Sequence, residues 1–323
     1  MRTLGNGSRV LITGGAGLVG SHLVDACLDT GAEVVVIDNF STGTRENLRA
    51  NDRLTVIEHD IATGVPDTAA TSDAFDAILH FACPPSPVDF ATLPIEILRV
   101  DSAGTMHALD RAETDGARFM LASTSEVYGD PHVHPQAEDY WGNVNPIGPR
   151  SCYDEAKRFS EAATVAYART RGVDTSIVRI FNTYGPRMRA NDGRVVPTFV
   201  NQALAGHALT VHGDGSQTRS MCYIDDLVRG IMLVLENGVA GPVNLGAEYE
   251  LSMRELAEII IRLTGSESTL VFTDRPADDP ERRRPDLSLA RKEVGYEPEV
   301  TYEAGLRETI NYFIAQHKKL VSP

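Results

Sequence analysis

The chain has 323 residues and a mass of 35.1 kDa, with 42% hydrophobic and 23% charged residues, as in an average soluble globular protein. This length exceeds the ~100–200 residues of a typical domain, so we expect two domains or one large α/β domain with an appendage. The net charge of -15 would repel a phosphate backbone, which excludes DNA or RNA as the main ligand but leaves small anions open.

The first half of the chain alternates strand-like and helix-like segments. Arg9–Thr13 is a short apolar run, Leu18–Asp29 has helical spacing, and Glu33–Asp38 is a second β-branched run, which together predict a βαβ unit. Further strands are predicted at 54–60, 76–82, Arg118–Thr124 and 175–182. Apolar strands separated by helices indicate an α/β fold with a doubly wound parallel sheet of the Rossmann type, covered by helices on both faces.

After residue 182 the pattern becomes irregular. Loops are predicted around 184–196 and 212–223, followed by a helix at 225–235 and a strand at 242–245 that rejoins the sheet. The remainder carries a helix at 253–265, a strand at 269–272, an Arg/Asp/Pro-rich loop and a last amphipathic helix. We therefore expect a dinucleotide-binding domain at 1–180, with 220–250 rejoining it, and a smaller C-terminal α/β substrate-binding domain at 181–323.

A glycine motif lies between the first strand and the first helix. Gly14, Gly17 and Gly20 in TGGAGLVGSHL allow a tight turn and close approach of a pyrophosphate to the helix N-terminus. Asp38 ends the second strand, where a carboxylate binds ribose hydroxyls and favours NAD over NADP, although Arg45 leaves NADP open. The predicted cofactor-binding residues are Gly14, Gly17, Leu18, Val19, Asp38, Asn39, Asp60 (for the adenine amino group), Ile61, Tyr153 and Lys157.

Tyr153 and Lys157 form a YxxxK pair, which places both side chains on one face of a helix. An adjacent ammonium favours the phenolate of a tyrosine, whose ordinary pKa of ~10 makes it a poor base at neutral pH. Thr124, Ser125 and Glu126 follow a predicted strand, at the edge where open α/β sheets bind their ligands. The motifs together predict a catalytic site at this edge.

The four cysteines are scattered, which indicates reduced thiols in a cytoplasm and no structural metal. Cys83 and Cys152 are expected to be small packing residues, and Trp141 is expected to pack structurally. The N-terminus lacks the features of a secretory signal, and no stretch has the ~20 apolar residues of a membrane span. We expect a cytoplasmic protein without membrane partners.

Several of these motifs resemble the extended short-chain dehydrogenase/reductases that modify nucleotide sugars: GGAGLVGSHL, IDNFSTG, STSEVYG, YDEAK and RIFNTYGPRM. The longer segments HFACPPSP, EDYWGNVNPIGPRSCYDEAKR, GDGSQTRSMCYIDDL and DDPERRRPD most resemble the UDP-glucuronate decarboxylases, also called UDP-xylose synthases. Nucleotide-sugar 4,6-dehydratases carry an Asp-Glu pair where this chain has Ser125 and Glu126, and simple 4-epimerases usually lack the glutamate. A dehydratase or 4-epimerase stays as the alternative, and a non-catalytic NAD-binding protein would typically have lost Tyr153 or Lys157.

The resemblance implies oxidation of a sugar at C4, loss of carbon dioxide, and reduction by the same NAD, with a UDP-sugar as substrate and no metal. The catalytic residues it implies are Tyr153, Lys157, Thr124, Glu126 and Arg283. The substrate-binding residues it implies are Pro84, Ser86, Asn182, Arg194, Gln217, Arg219, Tyr223 and Arg283. It also implies a homodimer, formed by the helices at 102–113 and 153–171.

Overall fold

The computed structural model describes residues 4–275 and 282–321. Its centre is a parallel sheet of seven strands in the order β11-β6-β5-β4-β1-β2-β3. These strands are β1 (Arg9–Thr13), β2 (Glu33–Asp38), β3 (Leu54–Glu58), β4 (Ala77–His80), β5 (Arg118–Thr124), β6 (Thr175–Ile180) and β11 (Val243–Leu245). The predicted doubly wound parallel sheet is confirmed.

Ten α-helices form within the described residues. They are α1 (Leu18–Asp29), α2 (Pro87–Thr92), α3 (Pro94–Arg99), α4 (Thr105–Asp115), α5 (Ser151–Arg171), α6 (Val195–Leu204), α7 (Ile224–Asn237), α8 (Met253–Thr264), α9 (Ser288–Val294) and α10 (Tyr302–Val321). Of the helices formed by 4–275 and 282–321, none combines the length and apolarity that a membrane span needs.

The strand residues alternate between two hydrophobic cores, one on each face of the sheet. Val10 and Ile12 of β1 pack into a core that includes side chains of α1, α7, α8 and α10. Leu11 of β1 and Val35 of β2 point the other way, into a core with α4 and α5. Because successive side chains of a strand point to opposite faces, these continuous apolar runs require helices on both sides.

Seven shorter strands outside the central sheet form in the described residues that follow β6. The strand β7 (Thr183–Tyr184) pairs with β10 (Cys222–Tyr223), β8 (Leu209–His212) pairs with β13 (Leu270–Thr273), and β9 (Thr218–Ser220) lies between β12 (Glu250–Ser252) and β14 (Arg282–Arg283). The expectation of plain loops at 184–196 and 212–223 is therefore wrong in part, because these strands and the start of α6 fall within them. Strands of two or three residues are too short to show a periodicity.

Three predicted strands end earlier than expected, because their last residues leave the hydrogen-bonded ladder and enter loops. The strand predicted at 54–60 ends at Glu58, the one at 76–82 spans Ala77–His80, and the one at 175–182 ends at Ile180. Residues 276–281 of the predicted Arg/Asp/Pro-rich loop lie outside the described residues, and the chain resumes with β14.

Candidate active site

A cavity of about 490 Å³ opens at the carboxyl edge of the seven-stranded sheet. Its wall includes Gly14 after β1, Asp38 at the end of β2, Ala82 after β4, Thr124 at the end of β5 and Asn182 after β6. The residues just beyond the strands thus come together because parallel strands present their carboxyl ends at one edge.

The glycine turn leaves no room for side chains at two of its positions. Gly14 has φ +72°, and a Cβ there would lie 2.6 Å from backbone atoms of Ala82. A Cβ on Gly20 would lie 2.1 Å from the carbonyl oxygen of Gly14, so α1 packs directly on the turn. Leu18 and Val19 at the N-terminus of α1 line the cavity, and the N-cap residue Gly17 provides no side-chain cap for the first backbone N–H groups.

Asp38 lines the same cavity. Its carboxylate accepts hydrogen bonds from the backbone N–H groups of Ala16 (2.9 Å) and Phe40 (2.8 Å). Burial raises the pKa of Asp38, and these two hydrogen bonds act against that shift. Arg45, the residue because of which the sequence does not exclude NADP, forms an ion pair with Glu58 at 2.8 Å.

Asp60 caps the short 3₁₀ turn Ile61–Thr63, with its Oδ1 accepting from the N–H of Ala62 at 2.9 Å. Asn39, Asp60 and Ile61 all line the cavity. The structure thus places the ten residues predicted to bind the cofactor around one cavity. A glycine cradle, a helix N-terminus and a strand-end carboxylate fit the pyrophosphate and ribose of a dinucleotide such as NAD.

Tyr153 and Lys157 lie one turn apart on α5, both buried and both lining the cavity. The Tyr153 ring stacks on Phe90 with 4.9 Å between centroids, and the Lys157 ammonium lies 5.8 Å from the centre of the tyrosine ring. Lys157 donates to the carbonyl oxygen of Ala122 at 3.0 Å, and Thr124 hydrogen-bonds the Tyr153 hydroxyl. The strand end of β5 and the helix α5 thereby bring three predicted catalytic residues together.

Burial raises the pKa of Tyr153, while the Lys157 ammonium and the Thr124 hydroxyl lower it. The sequence predicted a tyrosine activated by the neighbouring lysine. The lysine acts in that direction, but burial has the larger effect on the pKa of the tyrosine. For Lys157 itself, burial opposes the charged form, yet the carboxylate of Asp101 raises its pKa above the usual range.

Glu126 lies between two arginines in the wall of the cavity. One carboxylate oxygen accepts from Arg150 at 2.7 Å and from Arg283, and the other accepts from Arg283 at 2.9 Å. Although burial opposes ionisation, Arg283 and Arg150 hold the pKa of Glu126 at about 2. The sequence predicted Glu126 and Arg283 but missed Arg150, whose only local signal is its place three residues before Tyr153.

Asp154 is a second carboxyl group beside this cluster. It is buried on α5, and its Oδ1 has no hydrogen-bond partner. Burial and the charge of Glu126 raise the pKa of Asp154 to about 7. The two carboxyl groups thus titrate far apart, one below and one near neutral pH.

Most of the predicted substrate-binding residues line the cavity, namely Pro84, Asn182, Arg194, Gln217, Arg219 and Arg283. Arg194 forms an ion pair with Asp192 there. The other two residues lie outside the cavity wall. Ser86 is fully buried and caps α2, and the Tyr223 ring packs on Tyr184 with 5.7 Å between centroids. Their predicted role as direct lining residues finds no support in this placement.

One expectation about packing is wrong. Trp141 is 90% exposed and does not pack into the protein, and its loop attaches through backbone contacts such as the Trp141 carbonyl with Arg158. Cys83 and Cys152 pack against hydrophobic clusters as expected, and Cys83 also lines the cavity, where its thiol donates to the carboxylate of Asp101 at 2.9 Å. Among the residues that the structure describes, no group of three or more His, Cys, Asp or Glu is arranged to hold a metal ion.

The family model described as the NAD dependent epimerase/dehydratase family matches residues 10–246. UDP-glucuronic acid decarboxylase 1 of Arabidopsis thaliana is 48% identical over 308 residues, which cover 94% of this chain and 69% of the relative.

Solved structures with the same fold are less similar in sequence. A dTDP-glucose 4,6-dehydratase from Streptomyces venezuelae with NAD bound aligns with a TM-score of 0.86 at 31% identity, over 96% of this chain and 98% of that one. A UDP-glucuronic acid 4-epimerase from Bacillus cereus with NAD aligns with a TM-score of 0.85 at 27% identity, over 95% and 99%. The fold is therefore shared by enzymes of different reactions.

Proposed function

This chain belongs to the NAD dependent epimerase/dehydratase family, as a relative of the UDP-glucuronic acid decarboxylases, and from this premise we propose that it converts UDP-glucuronate into UDP-xylose. The observation that carries the proposal is the cluster of Glu126, Arg150 and Arg283 in the cavity wall. Two guanidinium groups lie beside Glu126 there, and because a guanidinium binds a carboxylate through charge-assisted hydrogen bonds, this cluster suits the carboxylate of an acid sugar.

NAD is the cofactor of this family, and the glycine turn, the N-terminus of α1 and Asp38 are the groups that would hold it. When bound, NAD supplies a hydride acceptor for the oxidation at C4 and a donor for the final reduction, so the reaction has no net redox change. Tyr153 and Lys157, one turn apart on α5, line the same cavity and supply its acid–base groups.

Tyr153 takes the proton of the C4 hydroxyl, while Thr124 donates a hydrogen bond to the tyrosine oxygen and the Lys157 ammonium offsets its negative charge. A ketone at C4 is β to the carboxylate on C5. The bond between C5 and that carboxylate breaks, carbon dioxide leaves, and the electron pair passes to the C4 oxygen. The hydroxyls of Tyr153 and Thr124 stabilise this oxygen.

C5 of the enolate then takes up a proton from water in the place of the lost carboxylate. Glu126 is held ionised by Arg150 and Arg283, so its role is to orient the water that delivers this proton. Arg283 holds the substrate near the reacting carboxylate, and Asn182, Arg194, Gln217 and Arg219 contact the sugar or the diphosphate. A guanidinium binds phosphate oxygens in bidentate fashion, which suits the two arginines to the diphosphate.

The test is to incubate the purified protein with UDP-glucuronate and catalytic NAD, and to follow carbon dioxide, mass and NMR spectra. The expected result is a loss of ~44 mass units to UDP-xylose without accumulation of NADH, since the hydride is recycled. Tyr153→Phe is expected to abolish turnover while it leaves NAD binding intact.

Other products would contradict the proposal in distinct ways. Formation of UDP-galacturonate without carbon dioxide would indicate a 4-epimerase, the activity named for the structural neighbour from Bacillus cereus. If UDP-glucuronate is untouched while dTDP-glucose or UDP-glucose reacts, a 4,6-dehydratase or a neutral-sugar epimerase takes its place. A 4-keto pentose with NADH would show that the final reduction is missing.

We also propose how the chain divides and assembles. NAD binding is assigned to 1–180 with 220–250, and substrate binding mainly to 181–323, because the cofactor candidates precede residue 180 and most substrate candidates follow it. A homodimer is supported by Met106 on α4 and Phe159 on α5, which expose 42% and 44% of their surface. A cytoplasmic location is supported by the four cysteines, all of them free thiols.

A further inference from the structure

A buried carboxylate lies behind the catalytic lysine. Asp101 belongs to a five-residue π-helical turn, Val100–Gly104, that precedes α4, and its side chain has no solvent exposure. Its Oδ1 lies 2.8 Å from the Lys157 ammonium, which the carbonyl oxygen of Ala122 also contacts at 3.0 Å. The ammonium thus lies between a strand of the sheet and a charged group of the turn.

The turn itself is fixed by a chain of buried hydrogen bonds. Ser160 donates to the backbone oxygen of Asp101 at 2.6 Å and contacts the hydroxyl of Thr105 at 3.1 Å, which in turn contacts His80 at 3.2 Å. Burial and the charge of Lys157 lower the pKa of His80 to about 3, so that ring is neutral at physiological pH. The network therefore holds Asp101 in place without adding a charge.

The other titratable groups that face this pair are Cys83, Tyr153 and, beyond Cys83, Cys152. The Cys83 thiol donates to the second carboxylate oxygen of Asp101 at 2.9 Å, and burial raises the pKa of both cysteine thiols, so they remain neutral. Among the described residues, the charges behind the tyrosine are the Lys157 ammonium and the Asp101 carboxylate, and the Arg194 guanidinium, which also lines the cavity, interacts electrostatically with Tyr153. An anion this close to the ammonium cancels part of the field that Lys157 exerts on Tyr153.

We propose that Asp101 is a positioning residue of the site: its carboxylate fixes the Lys157 ammonium and, through this ion pair, sets the pH range in which Tyr153 and Lys157 work. The effect of Asp101 on turnover rests on the proposed function, whereas its ion pair with Lys157 does not. The contacts that carry it are those of Asp101 with Lys157 and Cys83, and they involve only protein atoms.

The direction of the effect follows from the charges. The Asp101 carboxylate opposes the phenolate of Tyr153, so its removal lowers the pKa of the tyrosine. The same carboxylate supports the buried ammonium of Lys157, so its removal lowers the pKa of the lysine as well. Both limbs of the pH profile are therefore expected to move to lower pH together.

The first test compares pH–rate profiles of the wild type and Asp101→Asn. Both limbs are expected to shift down by at least ~0.5 pH unit, which gives the variant ~3-fold higher activity relative to its own maximum on the acid side. Ser160→Ala is the matched control, because it loosens the same turn without removing a charge. The control is expected to lose the same fraction of its activity at every pH. If Asp101→Asn behaved in this way too, the proposal would be overturned.

The second test needs no turnover. The ultraviolet absorbance of tyrosinate is titrated against pH for each protein and for its Tyr153→Phe counterpart. The difference between the two absorbance curves reports the ionisation of Tyr153 alone. Asp101→Asn is expected to lower the midpoint, and unchanged midpoints would overturn the proposal even if the protein is not a decarboxylase. If the asparagine is not accommodated and the variant does not fold, Asp101→Ser, which leaves room for a water, is titrated instead with the same two outcomes.

Discussion

Asp154→Asn is expected to stabilise the protein at and above neutral pH. The carboxyl group of Asp154 is buried beside Glu126, and its pKa is raised from 3.8 to about 7. In the unfolded chain the proton leaves near the ordinary pKa, whereas the folded protein keeps it over about three further pH units. Wild-type stability therefore falls by ~1.4 kcal/mol per pH unit between pH 4 and 7, and the total penalty reaches ~4 kcal/mol above pH 7. Asparagine has no proton to lose and avoids this penalty.

The measurement is urea unfolding of the wild type and the variant at pH 5, 6, 7 and 8. The difference in unfolding free energy should grow with pH in favour of the variant and level off above pH 7. Glu155→Gln is the matched control, since Glu155 is the next residue of α5 and its side chain is 40% exposed. A difference that is constant across this range, or that has the opposite sign of slope, would refute the reasoning about a buried and protonated carboxyl group.

Three further substitutions test the cavity. Gly14→Ala would place its Cβ 2.6 Å from neighbouring backbone, while Gly172→Ala, also at positive φ, meets nothing within 4 Å. We expect Gly172→Ala to cost ~1 kcal/mol of stability, and Gly14→Ala to cost more and to abolish NAD binding. Thermal unfolding and NAD titration measure the two effects. Equal effects of the two substitutions would exclude the close approach of backbone atoms as the cause. Arg283→Ala should weaken UDP-glucuronate binding ~10- to 100-fold, measured by calorimetry in a turnover-deficient background, and leave UDP-glucose binding nearly unchanged. Gln136→Leu should cause a smaller loss of the preference for UDP-glucuronate over UDP-glucose. The Gln136 side chain accepts a hydrogen bond from the backbone N–H of Arg284 at 2.9 Å and so fixes the strand that carries Arg283. If either substitution weakened the binding of both sugars equally, its prediction would be contradicted.

The elements that the sequence predicts best are those with a continuous apolar run. The strands Arg9–Thr13, Glu33–Asp38 and Arg118–Thr124 and the helix Leu18–Asp29 have the predicted bounds, because each buries nearly every strand residue or one helix face. The helix Val195–Leu204 was missed, since its Pro197 is typical of a loop. Proline is nevertheless tolerated in a first helical turn, where its missing N–H would have had no partner in the helix.

The candidate site was predictable where its chemistry is local in sequence and not where it depends on tertiary contacts. The glycine turn and the Tyr153–Lys157 pair occupy fixed spacings on a turn and a helix. Arg150 contacts Glu126 across 24 residues, and Asp101 contacts Lys157 across 56. A local pattern does not show which distant charge lies behind a buried group, so both Arg150 and Asp101 emerged only from the structure.

The fold alone does not select the reaction, because epimerisation, dehydration and decarboxylation of a nucleotide sugar all begin with oxidation at C4. In the mechanism that we propose, Tyr153, Lys157 and Thr124 serve that shared step, and they would serve it equally well in all three reactions. The reactions differ in what leaves next. A dehydratase must protonate the departing hydroxyl, and Glu126, with its pKa held at about 2, carries no proton to give at neutral pH.

Ser125, the neighbour of Glu126, is buried and is not an acid of useful strength. Carbon dioxide, by contrast, leaves as a neutral molecule and needs no acid at its departure. The charge that must be managed is that of the incoming carboxylate, and Arg150 and Arg283 are two cations beside Glu126 in the cavity wall. The same ion cluster that withholds a proton from a leaving hydroxyl thus accommodates an acid sugar, which favours decarboxylation over dehydration.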